Sequence, residues 1–272
     1  MPEAHDDPPE AVYGELATLT RLAVKPEQRL DRQLAALGYK TSDVTHVIAS
    51  HSHLDHTGGL SLFPQAKFYA GEGELPFSFW PTSVGAGFFR TADIEATRHF
   101  DWNYIPGVDV DLFGDGSLTV LFTPGHTPGE LSLLVRLPSR TFILTGGDTA
   151  HLRAAFEQEV HFPIDSNTEQ AVRSLRRLKL LRDAADATVW ITHDPRRLGR
   201  SRPRPPTATS EPPGPSRLRQ PNAEFDVRLH ILVIEAVCGR TRRAGGRSGS
   251  YAAVIARAVA GGIVRGRAHG RP

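Results

Sequence analysis

Residues 50–59 read SHSHLDHTGG, and no other stretch narrows so sharply what this chain can become. Three of its 12 histidines, His51, His53 and His56, fall within six residues around Asp55, and Gly58 and Gly59 follow. The pattern is H-x-H-x-D-H. Imidazoles repel one another when protonated and are useful together when they are neutral and bind a metal. A solvated turn that happens to be His-rich is the bland alternative. The preceding run, DVTHVIAS, is short and rich in β-branched residues, as expected of a strand that leads directly into His51. The cluster is therefore expected in a loop at a strand end, where a rigid element can aim several side chains at one point.

The same arrangement recurs along the chain. TPGHTPG places His126 just after the strand-like LTVLF, ILTGGD places Asp148 after another, and VWITHD places His193 after a third. A lone histidine after a strand is usually structural. Four strand-end loops, each offering His or Asp, are hard to explain as independent accidents. His51, His53, Asp55, His56, His126, Asp148 and His193 supply five imidazoles and two carboxylates, enough for two metal ions sharing a bridging carboxylate. Such donors suit Zn²⁺ and tolerate Fe, Mn or Co, because no thiolate selects among them. Two adjacent ions would lower the pKa of a bridging water from about 15.7 towards about 7, giving hydroxide at neutral pH without a Ser or Cys nucleophile. His46, His99 and His161 match no such position.

Between these points the periodicity predicts a helix over 26–37, a strand at 66–70, strands within 118–147, a helix over 168–184 and a last strand at 187–192. Hydrophobic residues make up 39% of the chain, enough for a core. The single cysteine, Cys238, excludes an intramolecular disulfide framework and any multi-cysteine zinc site. The opening MPEAHDDPPE is the reverse of a secretory n-region. The longest apolar runs, such as YAAVIARAVAGGIV, are shorter than the roughly 20 residues of a membrane span. A soluble cytoplasmic protein is expected. Charge divides the chain: residues 1–194 carry 16 Lys and Arg against 26 acids, whereas 195–272 carry 16 Arg, no Lys and four acids. A domain over 1–194 and a largely disordered Arg/Pro/Gly-rich tail over 195–272 are expected, with FDVRLHILVIEAV as an isolated strand or helix. The tail lacks aromatic interleaving and a folded basic face, so nucleic acid is not the expected partner. The oligomeric state is open.

As a set, SHSHLDHTGGL, TPGHTPG and THDP resemble the metallo-β-lactamase-fold hydrolases, most of all the N-acyl homoserine lactonase branch, over about residues 26–194. The resemblance implies an α+β fold, a four-layer αββα sandwich. It assigns His51, His53 and His126 to one metal, Asp55, His56 and His193 to the other, and Asp148 between them. It makes Asp55 and Asp148 catalytic as well as ligating. The implied cofactors are two divalent ions, zinc foremost, and the implied substrate is a small lactone or related carboxylic ester, opened by a metal-bridging hydroxide. The implied role is quorum quenching. Two alternatives stand beside it: a glyoxalase II-like thioester hydrolase, and a metal-binding but inactive fragment. Lactonases of this branch carry a Tyr three residues after the bridging Asp. Here that position is His151, which could donate a similar hydrogen bond or be an exposed loop residue. The aromatic segment LPFSFWPTSVGAGFF, residues 75–89, could line an acyl pocket or simply pack. The family begins with several strands and an Asp-Thr-Gly-type loop, whereas only about 25 residues precede the first helix here, so N-terminal strands are expected to be missing and a sheet edge open. The tail is expected to be read in a shifted frame.

Overall fold

The computed structural model describes residues 26–82, 84–145, 147–194 and 231–233, together with Gly14. A 3-10 turn at Pro26–Gln28 precedes α1 (Leu30–Ala36), and Arg29, with extended ψ, separates the two. The single helix expected over 26–37 is thus broken at its start. Next come β1 (His46–Ile48), a four-residue helix α2 (Leu54–Thr57), β2 (Lys67–Gly71), α3 (Glu74–Phe79), α4 (Thr91–Glu95) and β3 (Asp101–Ile105). Then β4 (Val110–Asp111), β5 (Leu118–Phe122), β6 (Leu131–Leu137) and β7 (Arg140–Leu144) follow as a meander. The described chain ends with α5 (Arg153–Gln158), α6 (Thr168–Ala184), β8 (Thr188–Trp190) and β9 (Ile231–Val233).

Two sheets form. One has the order β3-β2-β1-β9 with every neighbour parallel, and the other has the order β4-β5-β6-β7-β8, antiparallel except where β8 joins β7. Alternation along the strands stacks them into layers, because successive side chains leave opposite faces. On β1, Val47 turns outward into a core shared with Leu34 of α1, Leu60 and Phe63, whereas Ile48 turns inward. On β6, Leu133 and Val135 meet Ile48 and Ile105 between the sheets, whereas Leu134 faces Leu175 and Leu178 of α6 and Phe156 of α5. Three cores therefore separate four layers, helix, sheet, sheet and helix. This is the αββα sandwich that the resemblance implied.

β3 and β4 were not expected. DWNYI buries only its last residue fully and so carries no clean period-two signal. The tail expectation lies almost wholly outside the described residues. Ile231–Val233, expected as an isolated element, instead pairs in parallel with β1, His46 against Ile231 through Ile48 against Val233.

Candidate metal centre

β1, β5, β7 and β8 all end at one edge of the sandwich, and each is followed by a loop or short helix that carries the residues singled out above. The backbone there is stitched across the layers: Leu131 N–H donates to Ser50 C=O at 2.9 Å, tying the start of β6 to the end of β1. α2 supplies Asp55 and His56 from its single turn, which begins with His56 N–H donating to His53 C=O at 2.9 Å. The start of α6 holds the His126 loop, since Ser174 Oγ donates to Pro124 C=O at 2.7 Å and Asn167 N–H to Gly125 C=O at 2.9 Å.

All seven expected residues come together, in two groups. His51, His53, His126 and Asp148, all buried, present donor atoms within 4.8 Å of one another, and Asp55, His56 and His193 do the same beside them. Within the first group His53 Nδ1 lies 3.2 Å from His51 Nε2 and 3.0 Å from His126 Nε2. Donors at about 2.0–2.1 Å around a tetrahedral zinc stand about 3.3–3.4 Å apart, so the spacing suits one small ion. Asp148 divides its oxygens between the groups. Oδ2 faces His126 at 3.2 Å and His51 at 3.6 Å, whereas Oδ1 faces His193 at 2.9 Å and His56 at 3.5 Å. Asp55 Oδ2 completes the second group at 3.4 Å from His56 Nε2 and 3.6 Å from His193 Nε2. Both ring nitrogens of His56 are buried without a hydrogen-bond partner of proper geometry. Buried polar atoms left unpaired are costly, and a cation beside His56 Nε2 would satisfy it. Gly147 makes room: its φ is +90°, and a Cβ there would sit 2.3 Å from His56 Cε1.

The electrostatics are those of a site divided over its protons. Burial, reinforced by the facing His56, holds His51 well below the usual imidazole range, and burial with His126 pushes His53 down to about 3. Burial also opposes ionisation of Asp148, but His151, His193 and His56 outweigh it and keep the carboxyl well below its usual range. For His56 burial acts against protonation and loses to Asp55 and Asp148, so that ring is raised well above its usual value. Neutral imidazoles and an ionised carboxylate are the forms that ligate a metal.

His151 is not an exposed loop residue. Its Nε2 lies 3.1 Å from Asp148 Oδ2, and its ring stacks on Phe162 at 3.7 Å and faces His193 at 5.4 Å. The aromatic segment is split. Phe88 and Phe89 approach the His53 ring at 5.7 and 4.5 Å, whereas Trp80 is 76% exposed. Three buried acids had no place in the sequence reading. Asp165 Oδ1 lies 2.8 Å from His126 Nδ1 and fixes that ring. Glu130 Oε1 accepts from Asp148 N–H at 3.2 Å, and Glu74 bonds to Ser52 and Gly129. The one signal available was Glu130, an acid opening the apolar strand LSLLV.

The family model of the metallo-beta-lactamase superfamily matches residues 19–186. The chain belongs to that superfamily. An N-acyl homoserine lactonase of Rhizobium radiobacter, AttM, is 34% identical over 190 residues, covering 69% of this chain and 72% of the relative. An N-acyl homoserine lactonase of Bacillus cereus is 28% identical over 168 residues, 62% of this chain and 63% of the relative. Among solved structures, a Bacillus thuringiensis AiiA variant with N-decanoyl-L-homoserine bound at its active site superposes with a TM-score of 0.55 at 27% identity. The match covers 63% of this chain and 64% of that one, slightly under two thirds of the neighbour's length. Among the described residues no helix is long and apolar enough to cross a membrane.

Proposed function

We propose that this protein is a dinuclear zinc hydrolase that opens N-acyl homoserine lactones or closely related carboxylic esters. The observation that carries the reading is the division of Asp148, one oxygen towards His51 and His126 and the other towards His56 and His193. A carboxylate so placed can serve two cations at once. The all-nitrogen and oxygen donor set fits zinc. When bound, the ions supply an acidified water and a positive field for the developing oxyanion. The seven residues would hold them, His51, His53 and His126 on one side, Asp55, His56 and His193 on the other, with Asp148 between.

The chain's own residues do the remaining work. Asp148, ionised beside the imidazoles, would keep the two groups at their spacing and help orient a water between them. His151, stacked on Phe162, carries Nε2 on Asp148 Oδ2, and turning that N–H to the substrate carbonyl or the leaving oxygen would serve the task a Tyr performs in the lactonase branch. Phe88 and Phe89 beside His53 and Phe162 beside His151 give apolar surface against which an acyl chain could exclude water. Product-bound lactonase structures at 27% identity support the substrate class.

The test is proton release on a series of N-acyl homoserine lactones, compared with an aryl ester and a thioester, by zinc-reconstituted protein and its Asp148→Asn variant. Lactone opening is expected, with Asp148→Asn losing activity far more than fold. Activity on the thioester alone would move the reading to glyoxalase-like chemistry, and full activity in Asp148→Asn would defeat the role given to the carboxylate.

A further inference from the structure

We propose that Glu74 is a positioning residue that locks the loop bearing His51 and His53 against the loop bearing His126. The proposal rests on the dinuclear reading above. Glu74 opens α3 and is completely buried. Its Oε1 accepts hydrogen bonds from Ser52 N–H at 2.7 Å and from Ser52 Oγ–H at 2.5 Å, and its Oε2 accepts from Gly129 N–H at 3.1 Å. Ser52 stands between His51 and His53, and Gly129 follows His126 by three residues. One carboxylate thus joins partners 22 and 55 residues away in sequence, and both belong to loops that feed the first metal group.

The backbone is shaped around this contact. A Cβ on Gly71 would lie 1.9 Å from Gly129 O, and a Cβ on Gly129 would lie 2.5 Å from Glu74 Cβ. The end of β2 and the His126 loop therefore touch backbone to backbone, and no side chain separates Gly129 from Glu74. Burying an ionisable group is expensive unless its lone pairs are satisfied. Burial pushes the Glu74 carboxyl up, and the hydrogen bonds from Ser52 pull against it. A carboxylate is also the side chain of this length that accepts at both ends. Glutamine would turn an NH₂ group towards either the Ser52 or the Gly129 amide, donor against donor. The 3.0 Å separation of His53 Nδ1 from His126 Nε2 follows from where the two loops are held. Groups that orient metal ligands in this way change metal affinity by about 10–100-fold when removed.

The test is Glu74→Gln in the full chain, read in two ways. In metal-free protein, amide exchange should accelerate together in residues 50–53 and 124–130, with α6 unchanged. In zinc-reconstituted protein, the variant should surrender one of its two ions at about 10–100-fold less chelator than the wild type needs, keeping the ion at Asp55, His56 and His193. Unchanged exchange and equal chelator midpoints, in a variant that melts where the wild type does, would overturn the proposal. Should Glu74→Gln not fold, Ser52→Ala removes only the Oγ donor and carries the same test: easier loss of one ion supports the clamp, and unchanged retention overturns it. A wild type that holds fewer than two ions would sink the dinuclear reading, and the exchange measurement would still decide the role of Glu74.

Discussion

At the scale of single residues, His151 stands where the resemblance to the lactonases led to the expectation of a Tyr. A phenol reaches further than an imidazole and cannot ligate a metal so readily, yet His151 is held as firmly as a catalytic group should be. Phe162 stacks on one face, and Nε2 is directed at Asp148 Oδ2. His151→Ala should reduce kcat/KM by at most about 2.7–4 kcal/mol of transition-state stabilisation, the cost of removing one oxyanion donor. Zinc content should not change. Steady-state kinetics on a lactone with metal analysis of the same sample separates the roles, because loss of zinc would make His151 a ligand instead of a donor. The seven candidate ligands were legible because His51, His53, His126, Asp148 and His193 follow strand ends, and Asp55 and His56 complete the H-x-H-x-D-H pattern on the short helix behind β1. Asp165, Glu74 and Glu130 were not. Their significance comes from burial and from contacts across 39, 55 and 18 residues of chain, which no local pattern records.

Among the elements, legibility followed the strength of the periodic signal. β5, β6 and β7 carry apolar runs bounded by turn residues, and α6 carries Ala171, Leu175 and Leu178 on its buried face. These stood out. β4 has two residues and β3 no clean alternation, so both depended on neighbours that the sequence alone does not supply. β9 is the instructive case. A short apolar run amid arginines reads as an isolated element, yet it extends the sheet beside β1, the strand that leads into His51. Deleting residues 195–272 removes β9 and exposes β1 as an edge. The truncated protein, reconstituted with zinc, should melt at a lower temperature and hold as much zinc as the full chain, since all seven candidate ligands precede residue 194. Calorimetry with elemental analysis checks both outcomes. A fall in zinc content would mean that β9 supports the site through β1.

For the whole molecule, the four layers and the metal centre are one design. Each sheet contributes to the site only at one edge: β1 brings His51 and His53, and β5, β7 and β8 bring His126, Asp148 and His193. Neither sheet alone assembles a complete group, because the first draws on both and so does the second. Occupying the centre therefore cross-links the halves of the sandwich, and ion binding should appear as global stability instead of a local effect. A ligand that binds only the folded state stabilises it by RT ln(1 + [L]/Kd). Each tenfold rise in free zinc above Kd then adds about 1.4 kcal/mol per ion. Two ions should give about 2.8 kcal/mol per decade. Urea unfolding over a series of buffered free-zinc concentrations measures this slope directly. About 2.8 kcal/mol per decade supports a dinuclear centre spanning both sheets, whereas about 1.4 would reduce it to one ion and leave Asp148 as a terminal ligand. The same titration on His56→Ala should halve the slope, because that change removes a donor from the second group and leaves His51, His53 and His126 intact.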